Sequence, residues 1–219
     1  SDKKQGTVIF EGVRYGTVYL KEVSAPKGYQ LSDKIVKIEI NDNGVGFNSD
    51  LENTARLCFI GQNAVKSGQT AAGLMGEITN GQGQIIIISG HEENPSLQQR
   101  ADGFNREISI SYPQINNLGI RYAYDDDWVA EKITDEILDK YPNLKGIYIT
   151  GSGVLGVCKS LQKANKIKDI KIIANDFIND NIQLLSNGTI NFLIGQDAYT
   201  QGYQSIMLLF HKLFDNKNP

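Results

Sequence analysis

Six polar corners of this 219-residue chain hold most of the side chains that could do chemistry, and each follows a short apolar run. They are Gly61-Gln62-Asn63, Gly90-His91-Glu92, Asp125-Asp126-Asp127-Trp128, Gly151-Ser152-Gly153, Asn175-Asp176 and Gln196-Asp197. With Arg100, just beyond the second corner, they present carboxylates, amides, hydroxyls, one planar cation and the only tryptophan. That mixture suits reversible recognition of a small polyhydroxylated molecule. Arg100 can hold two hydroxyls or a carboxylate through its guanidinium fork, which lysine cannot do. Its bland role is a surface pair with Asp102 or Glu107. Asp176 ends an apolar run, where an unpaired carboxylate is costly. A ligand hydroxyl donating to it offers roughly 1.5–3 kcal/mol as a charged hydrogen bond; N-capping the helix after Phe177 is its other role. Trp128 is either a core residue or an apolar plate for a sugar ring. Asn63 and Gln196 carry amides that donate and accept, although Gln196 would equally satisfy a hinge backbone. Thr150, at a strand end facing the same crevice, is a weaker candidate.

Other chemistries find less support. Two histidines, His91 and His211, show no metal-ligand spacing and assemble no Ser-His-Asp or Cys-His arrangement. The three aspartates Asp125–Asp127 favour a helix N-terminus, and a calcium loop needs more oxygen ligands at proper spacing. No cofactor or metal is implied, and no enzyme. One rival stands: Gly151-Ser152-Gly153-Val154-Leu155-Gly156 is a literal G-x-G-x-x-G, with Asp176 twenty residues after Gly156. That is the textual dinucleotide fingerprint, but it sits inside a series of similar units, and no partner for hydride transfer accompanies it. Net charge is −3 and the isoelectric point is near 5.5, so a basic nucleic-acid footprint is missing. No apolar run reaches membrane-spanning length, and the start has no signal-peptide core. Cys58 and Cys158 show no pairing pattern and suit a reducing compartment as structural thiols. A cytoplasmic location is therefore expected; a processed, extracellular chain is the alternative.

The elements that must position these corners fall into two groups. Thr7–Phe10, Thr17–Val23 and Ile35–Ile40 alternate at period two between glycine- or proline-bearing turns, so residues 1–46 read as a small all-β piece. Beyond it, strands are expected at Leu57–Ile60, Ile85–Ser89, Leu118–Tyr124, Gly146–Thr150, Ile170–Ala174 and Asn191–Ile194. Helices are expected between them, at Val65–Ile78, Pro95–Ile108, Trp128–Lys140, Leu155–Lys163, Asn179–Leu185 and Tyr199–Phe214. The isoleucine run Ile85–Ile88 suits a parallel sheet covered on both faces. Residues 47–219 thus read as α/β, with ligands binding beyond the carboxyl ends of the strands.

Two resemblances sharpen this reading. Residues 12–29, Gly12-Val13-Arg14-Tyr15-Gly16-Thr17-Val18-Tyr19-Leu20-Lys21-Glu22-Val23-Ser24-Ala25-Pro26-Lys27-Gly28-Tyr29, resemble the signature of Cna B-type modules, the stalk domains of Gram-positive adhesins and pilins. In that family the glutamate matching Glu22 promotes a lysine-to-amide isopeptide bond. Here the strand that would bring the lysine is missing, and Lys3 and Lys4 are poor substitutes. Residues 47–219 resemble the effector-binding domain of the lactose-repressor (LacI) family, which shares its fold with periplasmic sugar-binding proteins. The likeness rests on Phe47-Asn48-Ser49-Asp50, Phe59-Ile60-Gly61-Gln62-Asn63, Gln99-Arg100-Ala101-Asp102-Gly103-Phe104, Leu155-Gly156-Val157, Ile173-Ala174-Asn175-Asp176, and Gly195-Gln196-Asp197 through Gly202-Tyr203. It implies a periplasmic-binding-protein-like fold and a sugar or sugar derivative held by Arg100, Asp176, Trp128 and the crossing-segment amides Asn63 and Gln196. It also implies a homodimer in the full-length protein, and DNA contact only through a helix-turn-helix that these residues do not contain. Most of the N-terminal lobe is missing too, so sugar affinity of these residues alone is expected to be weak.

Overall fold

The structure, a computed structural model, describes residues 57–218 throughout and, before them, the backbone of three short strands. These are β1 (Gly16–Lys21), β2 (Ile35–Ile40) and β3 (Val45–Phe47). β1 and β2 pair antiparallel, with Gly16 opposite Ile40 and Lys21 opposite Ile35. Thr7–Phe10, Glu22, Lys3 and Lys4, on which the isopeptide question turns, lie outside the described residues. β3 was not anticipated; it runs parallel to β4 (Cys58–Ile60), pairing Val45 with Cys58 and Phe47 with Ile60.

From β4 onward every expected strand and helix is present, with ends shifted by at most three residues. The order is α1 (Ala64–Ile78), β5 (Gly83–Ser89), α2 (Pro95–Ser111), β6 (Ile115–Tyr122), α3 (Asp127–Lys140), β7 (Leu144–Ile149), α4 (Val154–Lys163), β8 (Lys171–Asn175), α5 (Asn179–Ser186), β9 (Phe192–Ile194) and α6 (Ala198–Phe214). Five strands form one parallel sheet in the order β6-β5-β7-β8-β9. Side chains alternate across it as a pleated strand requires. Ile85 and Ile87 join Ala71, Met75, Phe104 and Tyr148 under α1 and α2, while Ile86 and Ile88 join Ala130, Ile147, Val157 and Leu161 under α3 and α4. All four isoleucines are fully buried, each contributing roughly 1.5–3 kcal/mol. The β5 run is therefore apolar at every position because both of its faces are covered.

Local signals explain the helix starts. Asn63 caps α1 by accepting from Lys66 N at 2.9 Å. Asn94 caps α2 with Pro95 at its first turn, and Asp126 caps α3 by accepting from Val129 N at 2.9 Å. Two glycines bring α1 and α2 into backbone contact: a Cβ on Gly68 would lie 1.9 Å from Arg100 O, and one on Gly103 would lie 2.1 Å from Val65 O. That close approach seats the turn carrying Arg100. After β9 the chain returns through α6 to β3 and β4. α6 is unusual: Gln201 is its only buried residue, and Tyr199, Tyr203, Ile206, Phe210, Leu213 and Phe214 are all exposed. Among the described residues no helix is long and apolar enough to cross a membrane.

Candidate functional site

The carboxyl ends of β4, β7, β8 and β9 meet at a set of polar side chains joined by Gln62. Its Nε2 donates to Gly195 O at 2.9 Å, tying the segment after β4 to the segment after β9. Its Oε1 accepts from Arg100 Nη2 at 3.2 Å, and Arg100 Nη1 donates to Thr150 O at 2.6 Å. Arg100 is only 3% exposed, and among the described residues it makes no ion pair. Its Nε is buried with no hydrogen-bond partner. The surface pairing with Asp102 or Glu107 is therefore not what the fold builds. A buried guanidinium is held by two neutral oxygens and keeps an orphan donor, an arrangement that costs free energy unless an acceptor arrives.

Across from it, Asp176 accepts from Gln196 Nε2, and Gln196 O in turn accepts from Gln201 Nε2. Asp176 N donates to Ile194 O at 2.9 Å, continuing the β8–β9 pairing past the strand ends. Asn181 Nδ2 donates to both Asn175 O and Asp176 O at 3.1 Å, strapping this turn to α5. Asp176 does not cap α5; the cap position is Ile178, which offers no side-chain bond.

These corners are also where backbone strain collects. Among the described residues, the non-glycine positions with positive φ are three asparagines, Asn80, Asn165 and Asn216, together with Tyr124, Asp125, Asp176 and Asp197. The asparagines sit just after helix C-termini, where the left-handed conformation is ordinary. The other four all lie at strand-to-helix corners, and left-handed conformations there cost of order 1–3 kcal/mol each. Asp125 shows what the conformation achieves. Its carboxylate fits between Gly90 and Gly151, where added Cβ atoms would lie 2.4 and 3.0 Å from Oδ1, and it accepts from Ser152 N at 3.1 Å.

The G-x-G-x-x-G run has a structural account. Gly151 makes room for Asp125, and Gly153 (φ +94°) turns the chain into α4. Gly156 lets α4 cross α3, because a Cβ there would lie 1.8 Å from Asp127 O. Gly156 N donates to Asp127 Oδ1 at 3.1 Å. The α4 N-terminus is thus already served by two carboxylates of the chain, which opposes a bound pyrophosphate. Cys158, behind it, has its thiol pushed up to about 12, first by burial and then by Asp127. It is an inert core thiol, as expected.

The remaining candidates are placed as follows. Thr150 is fully buried, its Oγ1 donating to Ser89 Oγ at 2.7 Å and its carbonyl receiving Arg100, so it meets the site through Arg100. Asn63 is exposed and its Oδ1 is occupied as the α1 cap. Trp128 is 61% exposed in the first turn of α3, with Lys132 Nζ 3.7 Å from its ring centroid, so it is not a core residue. Sequence reasoning passed over Gln62. No local signal marks it, because its partner Gly195 lies 133 residues away. It also passed over Asn175, which is wholly buried, donates to Ile149 O at 2.9 Å and to Tyr148 Oη at 3.2 Å, and leaves its Oδ1 without a partner.

Residues 34–217 match the family model described as the periplasmic binding protein domain, and the chain belongs to that family. It is thus a binding protein by family and not an enzyme. Residues 1–55 match the model of a prealbumin-like fold domain. Solved structures agree on the fold. An arabinose-binding protein, AraP, from Geobacillus stearothermophilus is 27% identical, with a TM-score of 0.71 over 76% of this chain and 57% of its own. The sugar-binding protein of a sugar ABC transporter from Bacillus halodurans is 27% identical, with a TM-score of 0.76 over 80% and 60%. A solute-binding protein of an ABC transporter from Burkholderia graminis, in complex with D-arabinose, is 26% identical, with a TM-score of 0.75 over 81% and 63%. The chain therefore spans about three-fifths of the length of these relatives. No curated protein matches it.

Proposed function

We propose that this chain supplies one lobe and both crossing segments of an extracellular sugar receptor, and that Arg100, Asp176 and Gln196 contact the sugar. One observation carries the reading: a buried arginine with an orphan Nε donor, and an aspartate–glutamine pair, stand where the two crossing segments are tied by Gln62. A ring hydroxyl both donates and accepts. It can accept a hydrogen bond from Arg100 and donate one to Asp176, supplying bonds these groups otherwise lack or share. Trp128 forms an apolar rim in this reading, and Thr150 and Asn63 position the arginine and the α1 start. The names of the similar structures, sugar-binding proteins of ABC transporters, support the ligand class. The prealbumin-like match and the Cna B-like signature support a location outside the cytoplasm, with residues 1–46 as a surface-type module joined to 47–219. Effector sensing in a LacI-type regulator is the second reading. It is favoured by the motif series from Phe47 to Tyr203, and a homodimer and a DNA-binding partner belong to it.

The test is an NMR titration of backbone amides with neutral aldopentoses and aldohexoses, a method that reads weak affinity. At least one sugar should move the signals of Gln62, Asp176 and Gln196 in a saturable way. Arg100→Lys, which keeps the charge and loses the fork, should abolish the shifts, as should Asp176→Asn. Shifts confined to other surfaces, or unchanged in both variants, refute the assignment.

A further inference from the structure

The five-stranded sheet parts at one seam, and Arg100 and Asp176 are attached on opposite sides of it. β7 pairs with β8 only as far as Tyr148 opposite Ile173. On its other edge β7 runs on beside β5, with Ile149 opposite Ile88 and Thr150 N donating to Ile88 O at 3.0 Å. β8 likewise runs on beside β9, with Asn175 opposite Ile194 and Asp176 N donating to Ile194 O at 2.9 Å. Arg100 hangs on the first half through Thr150 O, whereas Asp176 belongs to the second. Past the end of the β7–β8 ladder the Asn175 side chain spans the seam: its Nδ2 donates to Ile149 O at 2.9 Å and to Tyr148 Oη at 3.2 Å. The Tyr148 ring stacks on Phe104, centroids 4.7 Å apart, one turn along α2 from Arg100. Burial pushes the Tyr148 hydroxyl up, Asn175, Arg100 and Ser67 hold it back, and Asp176 pushes it up again. The cation and the anion of the site are therefore both felt at this one buried group. Asn175 itself is wholly buried, and its Oδ1 has no hydrogen-bond partner. An acceptor left so costs free energy that an apolar side chain would not, so stability alone does not account for the amide.

We propose that Asn175 is a positioning residue for the site: its amide sets the gap between the ends of β7 and β8, and with it the reach from Arg100 to Asp176. The inference rests on the sugar-receptor reading and adds to it the residue that fixes the spacing of the two groups. In that reading one ring hydroxyl accepts from Arg100 and donates to Asp176. It serves both only while they stand on either side of a single oxygen, because a hydrogen bond weakens steeply as its geometry departs from the ideal. Asp176 holds a left-handed conformation (φ +73°) that its surroundings must impose. Asn181 straps that corner and Gln196 holds its carboxylate, but neither bond reaches β7. Gln62 also crosses the seam, part-buried, through Arg100 and Gly195; Asn175 crosses it from inside the core.

The experiment is an NMR titration of the full chain with D-glucose, D-galactose and their single-deoxy analogues, one for each hydroxyl. It is run at a temperature where the amide spectrum shows each variant folded. In the wild type one analogue should bind about tenfold more weakly than its parent, the mark of the shared hydroxyl. Asn175→Ala should weaken the parent sugar about tenfold and shrink that penalty to about twofold, because the separated groups no longer share one oxygen. Tyr148→Phe keeps the ring on Phe104 and the bond to Ile149 O, so it should weaken the sugar only about threefold, with an intermediate penalty. If Asn175→Ala does not fold, Tyr148→Phe decides alone. A purely structural amide would lower Tm and leave the affinity of the folded protein unchanged; that result overturns the positioning role while the receptor reading stands. Weaker binding with the full penalty retained overturns it too. A wild type that binds every analogue like its parent removes the shared hydroxyl and the positioning role with it. No saturable response to any sugar overturns the receptor reading itself.

Discussion

Replacing Gly156 by alanine sets two well-defined effects against each other. In helix propensity alone the change stabilises α4 by about 1 kcal/mol. Tertiary structure opposes it. The new Cβ would lie 1.8 Å from Asp127 O and 2.9 Å from Glu131 N, both backbone atoms, whereas ordinary contact begins at 3.4 Å. α3 and α4 must part by about 1.5 Å at a crossing that buries Val157, Ala130 and Leu161, and such overpacking costs roughly 1–3 kcal/mol. Parting also stretches the bond from Gly156 N to Asp127 Oδ1, now 3.1 Å, and a hydrogen bond to a charged group is worth roughly 1.5–3 kcal/mol. The losses outweigh the propensity gain, for a net destabilisation of about 2–4 kcal/mol. For a domain of this size that is a fall in Tm of about 5–15 °C, measurable by circular dichroism during thermal unfolding. An unchanged or raised Tm would refute the packing role assigned to the glycine. A normal Tm in the variant, together with an NAD-dependent rise in Tm seen for the wild type and absent from the variant, would instead revive the nucleotide-loop reading.

Three further outcomes are expected. Gln62→Ala removes the tie to Gly195 and one acceptor of a buried cation, so stability should fall by about 1–3 kcal/mol and sugar affinity about tenfold; wild-type affinity in the NMR titration would remove Gln62 from the site. Glu131 is held below the ordinary carboxyl value of 4.5 by hydrogen bonds, first from Lys159 and then from Lys163. Its folded-state value is depressed, so the interaction contributes stability above the unfolded value and loses it as pH falls through the folded one. Wild-type Tm should therefore drop more steeply than that of Glu131→Gln as the solution is acidified below about pH 4.5, and parallel curves would contradict the ion pair's contribution. Cys158, with its thiol pushed up to about 12, should resist iodoacetamide in the native protein at neutral pH and react fully in urea. Native modification would mean that the core around α4 opens.

Much of this molecule was legible along the chain because periodicity and punctuation are local. The isoleucine run of β5 announces burial on both faces, and the aspartates before Trp128 announce the start of α3, whose cap is Asp126. Glycine and asparagine mark the corners. The short strand β3 escaped notice because three residues carry no period. The exposed aromatic stripe of α6 was legible as an apolar helix but not as an uncovered one, since a helix apolar all round is usually buried.

What the sequence determined by itself is the α/β series, the six polar corners and the chemical kind of ligand they suit. Tertiary structure alone decided which side chains meet. Gln62 and Gly195 are 133 residues apart, and nothing in the spacing of either singles out Gln62 over Asn63. Arg100 reads in its helix as either a ligand-holding fork or a surface cation, and its burial is decided where two glycines draw α2 onto α1. The left-handed corners at Tyr124, Asp125, Asp176 and Asp197 likewise exist only because the sheet and helices on either side hold them. Local sequence sets which atoms can donate and accept; closure of the fold sets which are left with a bond to give.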